Sequence, residues 1–238
     1  MSNSVHRQLR SQSGGEFSFR IGMLLLPGFN ALAMHAFLDP FRAANYLRGQ
    51  RLYHWQFLSL QGNNVVASNG VEIAVSQAIT AETPAFDLIL VNASWTPEQF
   101  RDDRLQSWLR TASRQGTSLG GIDTGAFVLA YAGLLDHHRA VVHFEHLAAF
   151  KELFPAIETE ECLYSIDQRR MSCCGGLAAA DLALELIQKQ NGIELANAAA
   201  RYIFQERLRH ADEAQVPQNI EPVGYQLPDK LREAILLM

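Results

Sequence analysis

Asp123 is the residue at which the sequence concentrates its chemistry, because it ends an apolar stretch and is followed by small residues. Residues 118–122 predict a short buried strand, and an apolar helix is predicted to begin near Thr124. A sharp strand-to-helix turn of this kind holds one side chain at the edge of the sheet in many α/β enzymes. The helix dipole and the free N–H groups of the first turn would keep a carboxylate there ionised. The position therefore predicts a site that holds negative charge.

Two other roles for Asp123 are compatible with the same residues. Aspartate is a preferred N-cap residue, so Asp123 could cap the following helix, either alone or while it also binds a ligand. Asp123 could also attack an alkyl carbon, but that reaction needs a base, which His143 could supply, and halide-binding donors, which are not obvious in the sequence. As an acyl-transfer nucleophile a carboxylate is poor, because the product would be a reactive anhydride.

Three aromatic residues, Phe29, Trp95 and Phe144, are predicted to lie at the same sheet edge as Asp123, because each falls at the end of a predicted strand. Aromatic faces and one carboxylate are what a quaternary ammonium ligand requires, and each cation–π contact contributes about 0.5–2 kcal/mol. A guanidinium would suit Asp123 equally well through a bidentate ion pair. The competing interpretation of each aromatic residue is ordinary core packing.

Asn30, Thr124 and His143 complete the predicted ligand site. Asn30 follows the first predicted strand, Thr124 follows Asp123, and His143 lies between a β-branched pair and Phe144. With an ordinary pKa of about 6.5, a histidine can modulate the charge state of a ligand. A lone histidine is more often structural, so both interpretations of His143 stay open.

The elements that position these residues alternate between short apolar runs and helical patterns, which predicts a doubly wound, mostly parallel α/β sheet flanked by helices. A turn-forming Ser-Asn-Gly sequence also predicts a hairpin. Thr96 is predicted to cap a helix that starts at Pro97. The predicted strands are 19–26, 53–60, 65–67, 71–75, 86–91, 118–122, 140–143, 162–166 and 170–172, and the predicted helices are 31–47, 105–114, 144–153, 177–190, 193–209 and one from 124.

Composition describes one large α/β domain, or one domain with a small appendage, because the 238 residues are 48% hydrophobic and 19% charged. The net charge of −5 leaves no basic footprint for nucleic acid. No apolar run is long enough for a membrane span, and the N-terminus does not have the pattern of a signal peptide. The three cysteines, Cys162, Cys173 and Cys174, form no C-x-x-C metal pair and suit a reducing cytoplasm.

Changes in polarity divide the chain into four predicted parts. Residues 1–16 are expected to be a disordered lead, 17–210 the main domain, 211–226 a linker, and 227–238 the start of a helix in a truncated second domain. Arg201, Arg207 and Arg209 are expected to form a solvated face, and Cys173 and Cys174 to be small buried hydrophobes.

Several short motifs in a fixed order resemble the sensor half of GlxA-type AraC-family transcription regulators. The resemblance covers residues 19–209, and the motifs are PGF at 27–29, DTGAF at 123–127, GLLD at 133–136, VHFE at 142–145, and CGG at 174–176 with Asp181. These regulators are similar to the PfpI-type branch of the class I glutamine amidotransferase-like superfamily, which implies a flavodoxin-like fold. In them an AraC-type domain of two helix-turn-helix motifs follows, and residues 227–238 resemble its leading helix.

The resemblance also bears on activity. The enzymes of the superfamily place a cysteine at the turn and a histidine nearby, and the motifs put Asp123 and His143 at those two positions. The enzymes also tend to carry an acid near the first helix, whereas residues 30–34 contain none. The resemblance thus implies a pocket without catalytic residues. Regulators with Asp-Thr-Gly at this turn resemble those that serve betaine, carnitine or arginine catabolism.

The hypothesis that follows is a cytoplasmic ligand-sensing domain that binds a small cationic nitrogenous metabolite and needs no cofactor or metal. Its expected partners are a small-molecule effector, promoter DNA through the missing C-terminal domain, and a second copy in a homodimer, with no membrane. Two alternatives remain: a PfpI-like hydrolase or hydratase, and a catalytically dead dimerisation scaffold.

Overall fold

The computed structural model describes residues 19–215, and its centre is a seven-stranded sheet. The strands of the described residues are β1 (Phe19–Leu25), β2 (Tyr53–Ser59), β3 (Val65–Val66), β4 (Glu72–Ile73), β5 (Gln77–Ala78), β6 (Leu88–Ala93), β7 (Ser118–Asp123), β8 (Arg139–Ala140), β9 (Glu158–Thr159), β10 (Tyr164–Asp167) and β11 (Arg170–Cys173). The α-helices are α1 (Ala31–Arg48), α2 (Asp103–Arg114), α3 (Gly125–Tyr131), α4 (Leu147–Leu153), α5 (Ala178–Asn191) and α6 (Ile193–Tyr202). Short 3-10 helices occupy Pro97–Phe100 and Phe144–His146.

The order of strands in the main sheet is β10-β11-β7-β6-β1-β2-β5, and every pair is parallel except β10 with β11. The chain moves from β1 to β2 in one direction and later to β6 and β7 in the other. The order therefore reverses between β1 and β6, and ligands of open α/β sheets bind beyond the strand ends at such a switch point.

Each face of the sheet buries its own hydrophobic cluster, because successive strand residues point to opposite sides. Met23, Leu90 and Ile122 belong to the cluster that α1, α5 and α6 cover. Leu24 and Val91 belong to the other cluster, beneath α2, α3 and α4. Helices on both faces confirm the predicted doubly wound, mostly parallel architecture.

Glycines let α3 lie directly against the strands. A Cβ at Gly125 would stand 2.1 Å from the carbonyl oxygen of Val91, and one at Gly121 would stand 2.4 Å from the backbone nitrogen of Ala126. Real Cβ atoms do not approach backbone atoms so closely. The Gly-Gly-Ile-Asp-Thr-Gly sequence therefore places the strand-to-helix turn at Asp123, called the elbow below, tightly against β6.

The structure corrects three predicted elements. The strand expected at 140–143 is only the short β8, and the helix expected at 193–209 ends at Tyr202 because residues 205 and 209 bind α5 instead. Thr96 has left-handed backbone angles and makes no side-chain cap, since its hydroxyl donates to the carbonyl of Trp95. The predicted lead at 1–16, the linker beyond 215 and the helix at 227–238 lie outside the described residues. Within residues 19–215 no helix is long and apolar enough to cross a membrane.

Candidate functional site

The candidate site is built around Asp123, the last residue of β7, at the elbow before α3. Its φ of +60° is in the left-handed region, which residues other than glycine seldom occupy. Strained backbone of this kind is held in place by its surroundings and clusters at binding and active sites.

Two neutral side chains hold the Asp123 carboxylate. Asn30 donates from Nδ2 to Oδ2 at 3.0 Å, and Ser94 donates from its hydroxyl to the same oxygen at 3.4 Å. Both bonds end on Oδ2, so no hydrogen bond from the described residues reaches Oδ1. Within the described part of the chain, Asp123 also forms no ion pair. The carboxylate therefore keeps one oxygen available for a further partner.

Asn30 is itself fixed on both sides. Its Oδ1 accepts the backbone N–H of Ala33 at 3.0 Å and so caps α1, which points Nδ2 at Asp123. Its carbonyl accepts a hydrogen bond at 3.0 Å from Nδ2 of Asn92, a buried residue of β6. The site thus joins the ends of β1, β6 and β7, which are neighbours across the switch point of the sheet.

The remaining wall of the site is the loop after β11. A Cβ at Gly175 would stand 3.1 Å from Cβ of Asp123 and 3.2 Å from its Oδ2, so glycine allows this loop to lie directly on the carboxylate. Gly175 also has a φ of +97°, which L side chains rarely adopt.

Burial dominates the electrostatics of Asp123, whose residue surface is 5% exposed. It raises the pKa of the carboxyl above its ordinary value, while the Asn30 hydrogen bond, the charges of His143 and His146, and the Ser94 hydrogen bond act in the lowering direction. The shift is thus opposite in direction to the one that the helix dipole alone would produce. The N-cap interpretation is wrong, since Thr124 is the residue at that position.

The structure separates the predicted aromatic residues. Phe29 has no exposed surface and belongs to the core beneath α1, so its predicted place on the rim is wrong. Trp95 is 61% exposed and directly follows Ser94, the residue that binds Asp123. Phe144 is 45% exposed and its ring lies 4.5 Å from that of His143, measured between centroids. Two aromatic residues therefore remain at the surface of this region.

The predicted polar residues also differ in their exposure. Thr124 is fully buried, and its hydroxyl donates to the carbonyl of Ser94, so it braces the elbow rather than facing a ligand. His143 is half-buried, and its Nδ1 accepts the N–H of Glu145 at 3.4 Å. Its ring is close enough for its charge to act on Asp123.

Sequence reasoning missed Ser94, Asn92, His146 and Gly175. Ser94 and Asn92 end a predicted strand beside the elbow, so the rule that ligands lie beyond strand ends could have found them. His146 comes one helical turn after His143, a spacing that places both rings near Asp123. The role of Gly175 depends on the pairing of β11 with β7, which no local pattern shows.

The cysteines near the site are not activated. Burial raises the pKa of Cys173, and it raises the pKa of Cys174 to about 12. Because the thiolate is the nucleophile, such thiols are inert at neutral pH. In the described range no cluster of three or more His, Cys, Asp or Glu side chains is arranged to hold a metal.

Comparison with known proteins identifies the family to which this fold belongs. The model of the DJ-1/PfpI family matches residues 22–189. The HTH-type transcriptional regulator GbdR of Pseudomonas aeruginosa is 37% identical over 218 residues, which cover 92% of this chain and 59% of GbdR. CdhR, also an HTH-type transcriptional regulator of Pseudomonas aeruginosa, is 38% identical over 192 residues, which cover 81% of this chain and 56% of CdhR. The crystal structure of an AraC family transcriptional regulator from Pseudomonas putida has a TM-score of 0.70 at 25% identity, covering 78% of this chain and 99% of that one.

The chain therefore belongs to the DJ-1/PfpI family. Its relatives named above are transcription regulators, which confirms the resemblance to AraC-family sensor domains that the motifs indicate. The chain spans somewhat more than half the length of the curated relatives it matches.

Proposed function

We propose that this chain is the ligand-sensing domain of an AraC-type transcription regulator, and that Asp123 binds a small cationic nitrogenous metabolite. Glycine betaine, carnitine and arginine are the ligands of the proposed type. Promoter DNA is assigned to a further domain, because the regulators that the chain resembles extend well beyond the region they share with it. The observation that carries the proposal is the Asp123 carboxylate, which lies at a sheet switch point with two neutral donors and no ion pair among residues 19–215.

Charge compensation favours a cation. Burial raises the pKa of Asp123, so ionising it without a partner is unfavourable. A ligand cation against Oδ1 would supply a charged partner, and the exposed rings of Trp95 and Phe144 are the aromatic faces proposed to contact it. Since the bound form requires ionised Asp123, affinity rises with pH through the raised pKa.

The test is a titration of the chain with glycine betaine, L-carnitine and L-arginine, followed by thermal shift and calorimetry at pH 6, 7 and 8. Binding to the native state raises the melting temperature. Asp123→Asn keeps the shape and removes the charge, and we expect it to lose at least tenfold in affinity, or about 1.4 kcal/mol. Unchanged affinity in Asp123→Asn excludes the carboxylate from recognition.

An isostere without the cationic nitrogen tests the role of that cation. In 3,3-dimethylbutanoate a carbon replaces the quaternary nitrogen of glycine betaine, so its shape is retained and its cation is lost. We expect binding at least about tenfold weaker than that of betaine, because the cation–π and ion-pair contributions disappear. Equal binding of the two compounds contradicts recognition of a cation.

The rival enzyme function receives less support. Acyl transfer in the superfamily is expected to use a thiol at the elbow, where this chain has Asp123, and the neighbouring cysteines Cys173 and Cys174 are buried thiols with raised pKa values. Assays on amide, isonitrile and glyoxal substrates test this directly. Turnover that disappears in Asp123→Ala would establish an enzyme in place of a sensor.

A further inference from the structure

The segment that follows α6, residues 205–215 and called the exit segment here, is tied to the domain by a buried carboxylate. Asp181 lies in the first turn of α5, and its side chain has no exposed surface. It accepts hydrogen bonds from Arg209 through the backbone N–H at 3.1 Å, Nε at 3.0 Å and Nη2 at 2.6 Å, and a fourth from Nε2 of Gln205. This corrects the expectation that Arg209 belongs to a solvated face.

A second connection joins the exit segment to the wall of the Asp123 site. The backbone N–H of Leu163 donates to the carbonyl of Ala211 at 3.0 Å, and the carbonyl of Leu163 accepts the N–H of Cys174 at 3.0 Å. Cys174 precedes Gly175, whose backbone lies on Asp123. Two hydrogen bonds therefore link the exit segment to the residue beside the site wall.

A third connection reaches the histidine side of the site. Gln215 donates from Nε2 to the carbonyls of Val142 and Cys162, both at 2.9 Å. Val142 directly precedes His143, whose charge acts on Asp123. The exit segment thus contacts the segment that leads to Gly175 and the segment that leads to His143.

The Cys174 side chain is affected electrostatically by both the exit segment and the site. Burial has the largest effect on the Cys174 thiol and raises its pKa, while the charges of Arg209 and Asp123 act on the same thiol in opposite directions. Cys174 therefore lies within electrostatic reach of both the exit segment and the site.

We propose that the exit segment is a latch on the Asp123 site, so that closure of the latch through Asp181 and occupancy of the site are thermodynamically coupled. The inference rests on the proposed function only for the identity of the occupant. Coupling between two binding events is reciprocal, so a change in the latch must change affinity at the site by the same factor as occupancy changes the latch. A sensor needs a segment whose attachment to the domain depends on the ligand. The latch would be such a segment.

The chain offers a matched pair of variants. Arg209 binds the buried Asp181, whereas Arg207, two residues earlier in the same segment, pairs with Glu213 at 2.6 Å on the surface. Arg209→Gln removes the positive charge that binds Asp181. Arg207→Gln removes an exposed ion pair, and such pairs contribute little to stability. Hydrogen exchange on the chain then reports latch closure at the amides of Arg209, Leu163 and Cys174.

We expect the amides of Leu163 and Cys174 to exchange at least tenfold faster in Arg209→Gln than in the unaltered chain, with less than a threefold change in Arg207→Gln. Equal exchange in the two variants overturns the latch. If Arg209→Gln does not fold, Gln205→Ala removes a neutral donor to the same carboxylate and must accelerate the same amides.

Coupling to the site is tested with glycine betaine, L-carnitine and L-arginine. The compound that binds the unaltered chain most tightly must bind Arg209→Gln with a dissociation constant changed at least threefold, and Arg207→Gln with an unchanged one. An unchanged constant in Arg209→Gln overturns the coupling while leaving the proposed function intact. If none of the three binds the unaltered chain, the proposed ligand class fails, and coupling is judged by Asp123→Asn, which must change exchange at Cys174 at least threefold.

Discussion

Asp123 is retained at a cost to the stability of the fold. Folding raises its pKa, so the native state binds the proton more tightly than the unfolded state does, and stability falls as pH rises from the ordinary pKa to the raised one. Each pKa unit corresponds to about 1.4 kcal/mol. We expect Asp123→Asn to increase the free energy of unfolding at pH 7, measured by urea denaturation.

A second aspartate, Asp167, gives stability a pH dependence of the opposite sign. Backbone and side-chain hydrogen bonds from Arg139 and His138 lower the pKa of Asp167, so its contribution to stability is present above its ordinary pKa and is lost as pH falls through the lowered one. Asp167→Asn should reduce stability at pH 7. Urea melts of both variants from pH 4 to pH 8 separate the two signs, and a loss of stability in Asp123→Asn at pH 7 contradicts the expectation for the site.

Adjacent glycines give a matched test of the site wall. Gly175→Ala places a methyl group 3.1 Å from Cβ of Asp123 at a φ of +97°, and we expect a loss of about 1–3 kcal/mol together with impaired binding of betaine or its analogues. Gly176→Ala has a φ of +53° and no atom within 4 Å, so its cost is expected near 1 kcal/mol, with binding unchanged. Denaturation and calorimetry measure both effects, and equal loss of binding in the two variants would remove Gly175 from the site.

The sequence was sufficient to locate the elbow, because the change from an apolar strand to small residues and a helix is local. It was insufficient for the direction of the Asp123 pKa shift, which depends on burial beneath Gly175 and on partners that follow β1 and β6. Phe29 was placed wrongly for the same reason. A residue after a strand can face the site or the core, and only packing decides which.

At the scale of elements, Asn30 connects helix α1 to the site, since its Oδ1 caps α1 and its Nδ2 binds Asp123. We expect Asn30→Asp to preserve the cap and to raise the pKa of Asp123 further, because a carboxylate replaces a donor beside it. Titration of the Asp123 carboxyl by NMR measures the shift.

Helix α2 provides the control for capping alone. Asp102 accepts the N–H of Leu105 at 2.7 Å and caps α2 away from the site. Asp102→Ala should cost about 1 kcal/mol and leave the titration of Asp123 unchanged, whereas Asn30→Ala should produce both effects. A shift of the Asp123 pKa in Asp102→Ala would mean that the titration reports general loosening.

Most helices and strands were predictable from periodicity, and their ends were less so. The apolar pattern of α6 continues to residue 209, but the helix stops at Tyr202, and Phe204 is left-handed and 93% exposed. The competing partner is Asp181, a long-range contact that outweighs local helix preference. Hydrophobic periodicity carries no information about such a contact.

For the molecule as a whole, the net charge of −5 and the absence of a basic surface pattern in the sequence predict no specific retention of promoter DNA by this chain alone. Fluorescence anisotropy with a promoter fragment at about 50 and 200 mM salt tests this expectation. Retention that depends on sequence and survives the higher salt would place DNA recognition within these residues. The homodimer also stays a prediction, and sedimentation velocity measures it.

The fold class was predictable from the alternation of strands and helices, because doubly wound sheets require that order. The strand order was not predictable, since it depends on which strand pairs with each edge of β1. That order brings Asn30, Ser94 and Asp123 together from positions far apart in the chain.

Trp95 is 61% exposed and directly follows Ser94, which donates a hydrogen bond to Asp123. Its intrinsic fluorescence can therefore report on the site. Indole emission is sensitive to water, so covering this ring shifts it to shorter wavelength. Trp55 lies in β2, and the indole of Trp108 in α2 donates to the carbonyl of Thr80 at 3.1 Å, so both add a background emission. Ligand arrival can therefore be followed in real time by fluorescence from the unlabelled chain, with Trp95→Phe as the silent comparison.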